Sequence, residues 1–358
     1  MKIAILRRAF DAMGGAELYL QRLTRALAKG GHEVHLFAER WDEVPGEVRL
    51  RRVPRSRNRA DRVRGYDERV RTALGGEEFD CVFSLERTRA QDVFRVGDGV
   101  HRAWLEQKRR HAAWWRRPFT GHSAFHRAMV ELEAQALDPG HTGCVVVNSE
   151  MVKNEILRHY NFPEKRMHLI RNGVELERWR GGNRARARAR LGLNAETPVV
   201  LFAGSSWTRK GLPFLIEAMR QLPRARLVVA GRGRRPWGVP DNVDFIGPVP
   251  DLENVMAAAD VFALPAIYEP SANVCFEALA AGVPVVTSVF NGAAEVVEPS
   301  VNGTVLEDPA DAAALVAALE FWLEQKTDRP VPVRADLSLE RNVRETLAVI
   351  GQAAEARS

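Results

Sequence analysis

Two α/β domains, each a parallel sheet covered by helices, are the fold this sequence predicts, and three observations predict it. The chain has 358 residues, enough for two separate hydrophobic cores. Its apolar fraction is 46% with 27 glycines, the composition of a folded α/β protein rather than a disordered one. Strand-like runs alternate with helical ones along the sequence. Such alternation builds parallel sheets joined by right-handed crossovers.

The elements follow in order. In the first half, apolar runs at 2–8, 33–38, 48–53, 80–85, 93–96 and 143–148 read as strands, and the stretches 16–29, 103–111, 123–136 and 150–160 have helical spacing. The second half repeats the habit, with strands at 199–204, 225–230, 243–246, 261–264, 283–287 and 303–306, and helices at 211–221, 252–258, 273–281 and 310–324. Between them, residues 171–197 read as a linker plus a short solvated helix, where arginine alternates with alanine over 184–190. A stretch broken by Pro330 and Pro332 precedes a terminal helix at 339–356. The expected division is 1–170 and 171–338.

Charge is unevenly spread. The net charge is +6, yet residues 49–64 hold eight arginines against one acid and residues 102–117 hold six Lys/Arg against one acid. The rest of the chain is therefore net acidic, which is not the pattern of a uniformly basic nucleic-acid binder. Cys81, Cys144 and Cys275 are scattered, without metal-ligand spacing, and read as buried thiols of a reducing compartment. Asn302-Gly303-Thr304 matches a glycosylation sequon but reads as a turn. No apolar run approaches the roughly 20 residues of a membrane span. The start, Met1–Leu6 in sequence, reads as a first strand and not as a signal peptide. A cytoplasmic protein is the expectation.

The chemistry concentrates in Tyr268-Glu269-Pro270-Ser271-Ala272-Asn273-Val274-Cys275-Phe276-Glu277. Glu269 falls in the loop after a strand and Glu277 two turns into the following helix. Ligands of open α/β sheets bind at such carboxyl ends. A loop glutamate there can take a sugar's hydroxyls, and one inside the helix can reach a ribose. The helix start at Ala272, Asn273 and Val274 offers N–H groups and a positive dipole end to a diphosphate. The plain alternative for the pair alone is two surface glutamates. Arg209 and Lys210 also follow a strand and open a helix, where a guanidinium fork and an ammonium can neutralise a departing diphosphate; a solvated surface pair is the alternative there. Gly14 and Gly15, after the first strand, let backbone approach a ligand, though G-x-G-x-x-G is absent. Asp98 and His101 follow the strand at 93–96. Asp98 is favoured as the group that orients a hydroxyl, and His101 reads equally as a helix-start residue. The stretch 102–119 interleaves Trp104, Trp114 and Trp115 with Arg109, Arg110, Arg116 and Arg117, the mixture of cations and interfacial aromatics that lies on anionic membranes.

The Glu269 to Glu277 spacing resembles the Glu-x(7)-Glu signature of family-four retaining glycosyltransferases of GT-B fold. Further marks stand in order: Gly14-Gly15, Arg171-Asn172-Gly173-Val174, the run from Phe202 through Gly204 to Gly211, Asn291-Gly292-Ala293-Ala294-Glu295 and Asn302-Gly303. The run from Val96 to Leu105 is similar, more narrowly, to the lipopolysaccharide core glucosyltransferase I branch. Where the family often carries an arginine after the strand glycine Gly204, this chain has Ser205. The resemblance implies two Rossmann-like domains facing a cleft, with the terminal helix 339–358 packed back on the first. It implies that Asp98, Glu269, Arg209 and Lys210 serve catalysis, with Asp98 and His101 on the acceptor side. Gly14, Gly15, Gly204, Arg232 (beside the base), Ala272, Asn273, Val274 and Glu277 would complete the donor site.

The activity so implied is retaining hexosyl transfer, from UDP-glucose to a lipopolysaccharide-core or other lipid-linked acceptor. The enzyme would sit on the inner face of the cytoplasmic membrane as a peripheral protein. No metal or other cofactor is expected, since no Asp-x-Asp motif is present and cations take its place. A GT-B epimerase of nucleotide-sugars and a non-catalytic nucleotide-sugar-binding protein are the alternatives.

Overall fold

The computed structural model describes residues 1–8, 15–41, 48–55, 59–89, 91–325 and 335–357. The chain divides into two compact units: Met1–Arg171 with Glu340–Ser358, and Asn172–Leu339. Unit 1 contains β1 (Lys2–Leu6), α1 (Gly15–Lys29), β2 (Glu33–Ala38), β3 (Val48–Arg52), α2 (Arg59–Leu74), β4 (Cys81–Ser84), β5 (Gln91–Val96), α3 (His101–Arg110), α4 (Ala124–Ala136), β6 (Thr142–Val147), α5 (Glu150–His159) and β7 (Met167–Leu169). Unit 2 contains α6 (Leu176–Arg180), α7 (Arg184–Arg190), β8 (Val199–Ala203), α8 (Leu212–Met219), β9 (Arg226–Ala230), β10 (Val243–Gly247), α9 (Leu252–Ala258), β11 (Val261–Leu264), α10 (Asn273–Ala280), β12 (Val285–Ser288), β13 (Gly303–Leu306) and α11 (Ala312–Glu324). The last helix, α12 (Leu339–Glu355), lies almost wholly in unit 1.

Both sheets are parallel throughout their described pairs. Their orders are β3-β2-β1-β4-β5-β6-β7 and β10-β9-β8-β11-β12-β13. In each, the chain winds outward to one side and then crosses to the other. The reversal falls between β1 and β4 in unit 1, and between β8 and β11 in unit 2. Strands β8, β11 and β12 are buried along their whole length, as parallel strands covered on both faces must be. In unit 1, Tyr66 and Val70 of α2 pack on Leu6, Phe37 and Phe79, and the Tyr66 hydroxyl donates to the Phe37 carbonyl at 2.9 Å. Helix α12 returns to α1 through a hydrogen bond between Tyr19 and Thr346 at 3.2 Å. At its start the Asn342 amide donates to the Arg171 carbonyl at 2.6 Å.

Three expectations are corrected or extended. The arginine-alanine run forms a short helix, α7, whose residues 184–186, 189 and 190 are exposed as expected, but Arg188 within it is 4% exposed. It donates to the carbonyls of Ala258, Asn194, Ala195 and Thr197 at 2.8–3.1 Å and to Asp260 at 2.8 Å. Helical geometry puts residues four apart on one face, so Arg184 joins Arg188 in pairing with Asp260. The basic stretch 49–64 includes the start of α2, which its arginines concealed. Met167–Leu169 adds an edge strand paired with β6. Asn302 does form a turn, its side chain accepting the Glu298 N–H at 2.7 Å. Cys81 and Cys275 are buried, Cys144 is half-buried, and all three are free thiols.

Candidate functional site

The reversal point of the second sheet gathers the residues singled out there. The loop after β8 and the loop after β11 lie against each other, because the Ile267 N–H donates to the Arg209 carbonyl at 2.9 Å. Gly211 starts α8 in the left-handed region, φ 78°. A Cβ there would overlap the Pro265 carbonyl, so only glycine permits this approach. Gly204 has a similar duty: a Cβ would sit 2.9 Å from the Lys210 side chain. Ser206 also holds a positive φ of 58°, strain of about 1 kcal/mol that packing must offset.

This backbone brings the cations to the first glutamate. Lys210 Nζ is 3.1 Å from Glu269 Oε2. Arg209 Nε lies 3.9 Å from the same oxygen, donates to the Tyr268 carbonyl at 2.9 Å and stacks over the Tyr268 ring. Glu269 is fixed by its own backbone: its N–H donates to Phe290 at 2.8 Å and its carbonyl accepts from Gly292 at 2.9 Å. With side chains 15–16% exposed, Lys210 and Glu269 keep one edge toward solvent.

Glu277, on α10, differs. It is half-buried, and among the described residues no donor hydrogen-bonds its carboxylate. Burial pushes its pKa up to about 7, against the pull of Arg178 and Lys210 and helped by Glu253. A carboxylate kept this way is ready for hydroxyl donors from a ligand. α10 begins at Asn273 with no side-chain cap, so its first turn retains N–H groups for an anion. The Ala272 N–H is already taken by Asn291 Oδ1 at 3.1 Å. Val274 is half-buried in that turn. The Asn172 amide holds the loop by donating to the Ser271 carbonyl at 3.1 Å and to Asn273 Oδ1 at 2.7 Å. Arg232 is exposed on the loop after β9.

In unit 1, Asp98 is exposed in the turn after β5, and His101 is the half-buried first residue of α3. The His101 ring meets His126, Nε2 to Nδ1 3.0 Å. Gly14 lies outside the described residues, and Gly15 is the first residue of α1. Sequence reasoning missed Glu133, a buried carboxylate at the start of α3; its signal was a charge beside the apolar positions 128, 132 and 136. Of the aromatic stretch, Trp104 is half-buried on α3. Trp114, Trp115 and Phe119 lie in the six-residue 3-10 segment Trp114–Phe119 with exposures of 80, 53 and 79%. Arg109, Arg110, Arg116 and Arg117 around them are exposed. Among the described residues no group of three His, Cys, Asp or Glu could hold a metal ion, and no helix is long and apolar enough to cross a membrane.

Comparison with known proteins joins these features. Residues 183–338 match the family described as Glycosyl transferases group 1, and residues 13–178 match Glycosyltransferase Family 4. Lipopolysaccharide glucosyltransferase WaaG of Escherichia coli strain K12 is 25% identical over 91% of this chain and 90% of its own. A D-inositol 3-phosphate glycosyltransferase of Xylanimonas cellulosilytica is 30% identical over 86% of this chain and 83% of its own. Among solved structures, WaaG superposes with a TM-score of 0.79 at 23% identity, covering 99% of this chain and 98% of that one. Anabaena HepE in complex with UDP-glucose does so at 0.70 and 17% identity, covering 99% of each. The fold is GT-B, and the chain belongs to the group 1, family-four glycosyltransferases.

Proposed function

We propose that this glycosyltransferase moves a hexose, glucose from UDP-glucose, onto a lipopolysaccharide-core or other lipid-linked glycan with retention of anomeric configuration. The observation that carries the reading is the set at the β8/β11 reversal, where Lys210 and Arg209 flank Glu269 and Glu277 stands half-buried with no donor among the described residues. Glu277 takes the ribose hydroxyls and Glu269 the hydroxyls of the sugar. Arg209, Lys210 and the first turn of α10 neutralise the leaving diphosphate. That set does a divalent cation's work, so a metal-independent reaction is proposed. Retention through a covalent intermediate needs a carboxylate nucleophile. Both glutamates are assigned to hydroxyls here, so substitution on the front face is preferred, the departing phosphate oxygen accepting the acceptor's proton as the new glycosidic bond forms. Asp98 orients the acceptor hydroxyl. The names of WaaG and of HepE's ligand support glucose and a UDP carrier.

The exposed Trp114, Trp115 and Phe119 with their arginines are proposed to rest on the anionic inner face of the cytoplasmic membrane, each cation contributing about 1 kcal/mol near such a surface. The test of the activity is a panel of nucleotide-sugars scored for release of nucleoside diphosphate, with and without excess chelator. UDP release from UDP-glucose that survives chelation is expected. Activity lost to chelator and restored by Mg²⁺ overturns the metal-independent mechanism, and release from another donor alone overturns the UDP-glucose assignment.

A further inference from the structure

Helix α3 begins without a cap of its own, since Val100 precedes it and no side chain there accepts a bond. The acceptor comes instead from α4. Glu133, 1% exposed, takes the His101 N–H on Oε2 at 2.6 Å and the Arg102 N–H on Oε1 at 3.2 Å. Arg87 Nε donates to Oε2 at 3.0 Å, and the Tyr160 hydroxyl to Oε1 at 2.6 Å. Arg87 then reaches past the carboxylate and donates through Nη2 to the Gly99 carbonyl at 2.8 Å. On the other side of Asp98, the Asn148 amide donates to the Gly97 carbonyl at 3.2 Å. Burial lowers the Arg87 pKa, and the Glu133 and Asp98 carboxylates more than offset it, leaving Arg87 above its ordinary value.

Gly97 and Gly99, the residues on either side of Asp98, are thus each tied to a side chain from another element, while Asp98 itself stays exposed. A buried carboxylate with four donors pays a desolvation cost that an apolar residue would avoid. Stability alone does not call for it, whereas fixing one backbone turn does. We propose that Glu133, acting with Arg87, is a positioning residue for glycosyl transfer: it holds the turn 97–100 so that Asp98 meets the acceptor hydroxyl. The proposal rests on the assignment of Asp98 to the acceptor.

The experiment compares Glu133→Gln, Asp98→Asn and the double variant, using UDP-glucose as donor and a deacylated lipopolysaccharide core as acceptor. Glu133→Gln is expected to lower kcat at least tenfold and to leave KM for UDP-glucose within about twofold. The double variant should be no slower than Asp98→Asn alone, because contacts acting through one group are not additive. Losses that multiply overturn the positioning role. If Asp98→Asn turns over like wild type, the assignment of Asp98 fails. If Asp98→Asn is slow and Glu133→Gln is not, only the role of Glu133 fails. Should Glu133→Gln not fold, Tyr160→Phe removes one neutral donor to the same carboxylate; a fall in kcat without a change in donor KM is expected, and an unchanged kcat overturns the proposal.

Discussion

Replacing Glu277 by glutamine should make the protein more stable and worse at its task. Its carboxyl titrates at about 7 in the folded chain, against an ordinary value of 4.5, because it is buried. Above pH 7 the group is ionised in both the folded and the unfolded chain, and the folded state bears the whole penalty. Between 7 and 4.5 the folded chain binds a proton that the unfolded chain does not yet bind, so the penalty shrinks; below 4.5 it is gone. The difference of 2.5 pKa units corresponds to about 3 kcal/mol. Partial contact with solvent and the buried amide of the replacement trim the expected gain to about 1–3 kcal/mol. Urea unfolding of Glu277→Gln should therefore show a higher midpoint than wild type at about pH 8 and nearly the same midpoint at about pH 4.5. Calorimetric binding of UDP at pH 8 should be at least tenfold weaker in the variant, since an ionised acceptor for the ribose is lost. A variant less stable than wild type at pH 8, or a gain equal at both pH values, refutes the reasoning.

Three further outcomes are expected. Lys210→Ala should cut kcat/KM for the donor at least tenfold, since a charged contact to a ligand phosphate contributes about 1.5–3 kcal/mol; steady-state UDP release measures it. Arg188→Met should lower unfolding stability by about 3–5 kcal/mol, because it strands the carbonyls of Asn194, Ala195 and Thr197 and weakens the pairing of Asp260; chemical denaturation measures it. Wild type should bind liposomes containing anionic lipid better than neutral ones, more weakly as salt screens the charges. Trp114→Ser with Trp115→Ser should reduce that binding while turnover on a soluble acceptor persists, and indifference of wild type to anionic liposomes at low salt would remove the membrane role.

Much of the fold was legible because buried parallel strands are short apolar runs, and β11, with its expected span 261–264, is an example. The spacing of Glu269, Glu277, Arg209 and Lys210 along the chain was legible too. Their convergence was expected only through the family resemblance, because spacing alone does not give the strand order that sets β8 beside β11. α2 escaped because its apolar residues Tyr66, Val70 and Leu74, four apart, are outnumbered by arginines. Within α7 only Arg188 was misread, because arginine usually stays solvated and only the carbonyls that meet it explain its burial. Glu133 was hidden for the same reason: its four donors come from distant parts of the sequence.

The placement of α12 also governs the order in which the protein can be built. Unit 1 is interrupted by the whole of unit 2 and regains Glu340–Ser358 only afterwards. During synthesis the N-terminal part usually folds first. Here, until α12 emerges, unit 1 lacks Asn342, Thr346, Val349, Ile350 and Ala354, all buried in the finished protein, while unit 2, already off the ribosome, has its complete core. The nascent chain thus passes through a stage with a closed second unit and an open groove along α1. A chain truncated after Leu339 and released from the ribosome should protect unit 2 from protease and leave unit 1 susceptible.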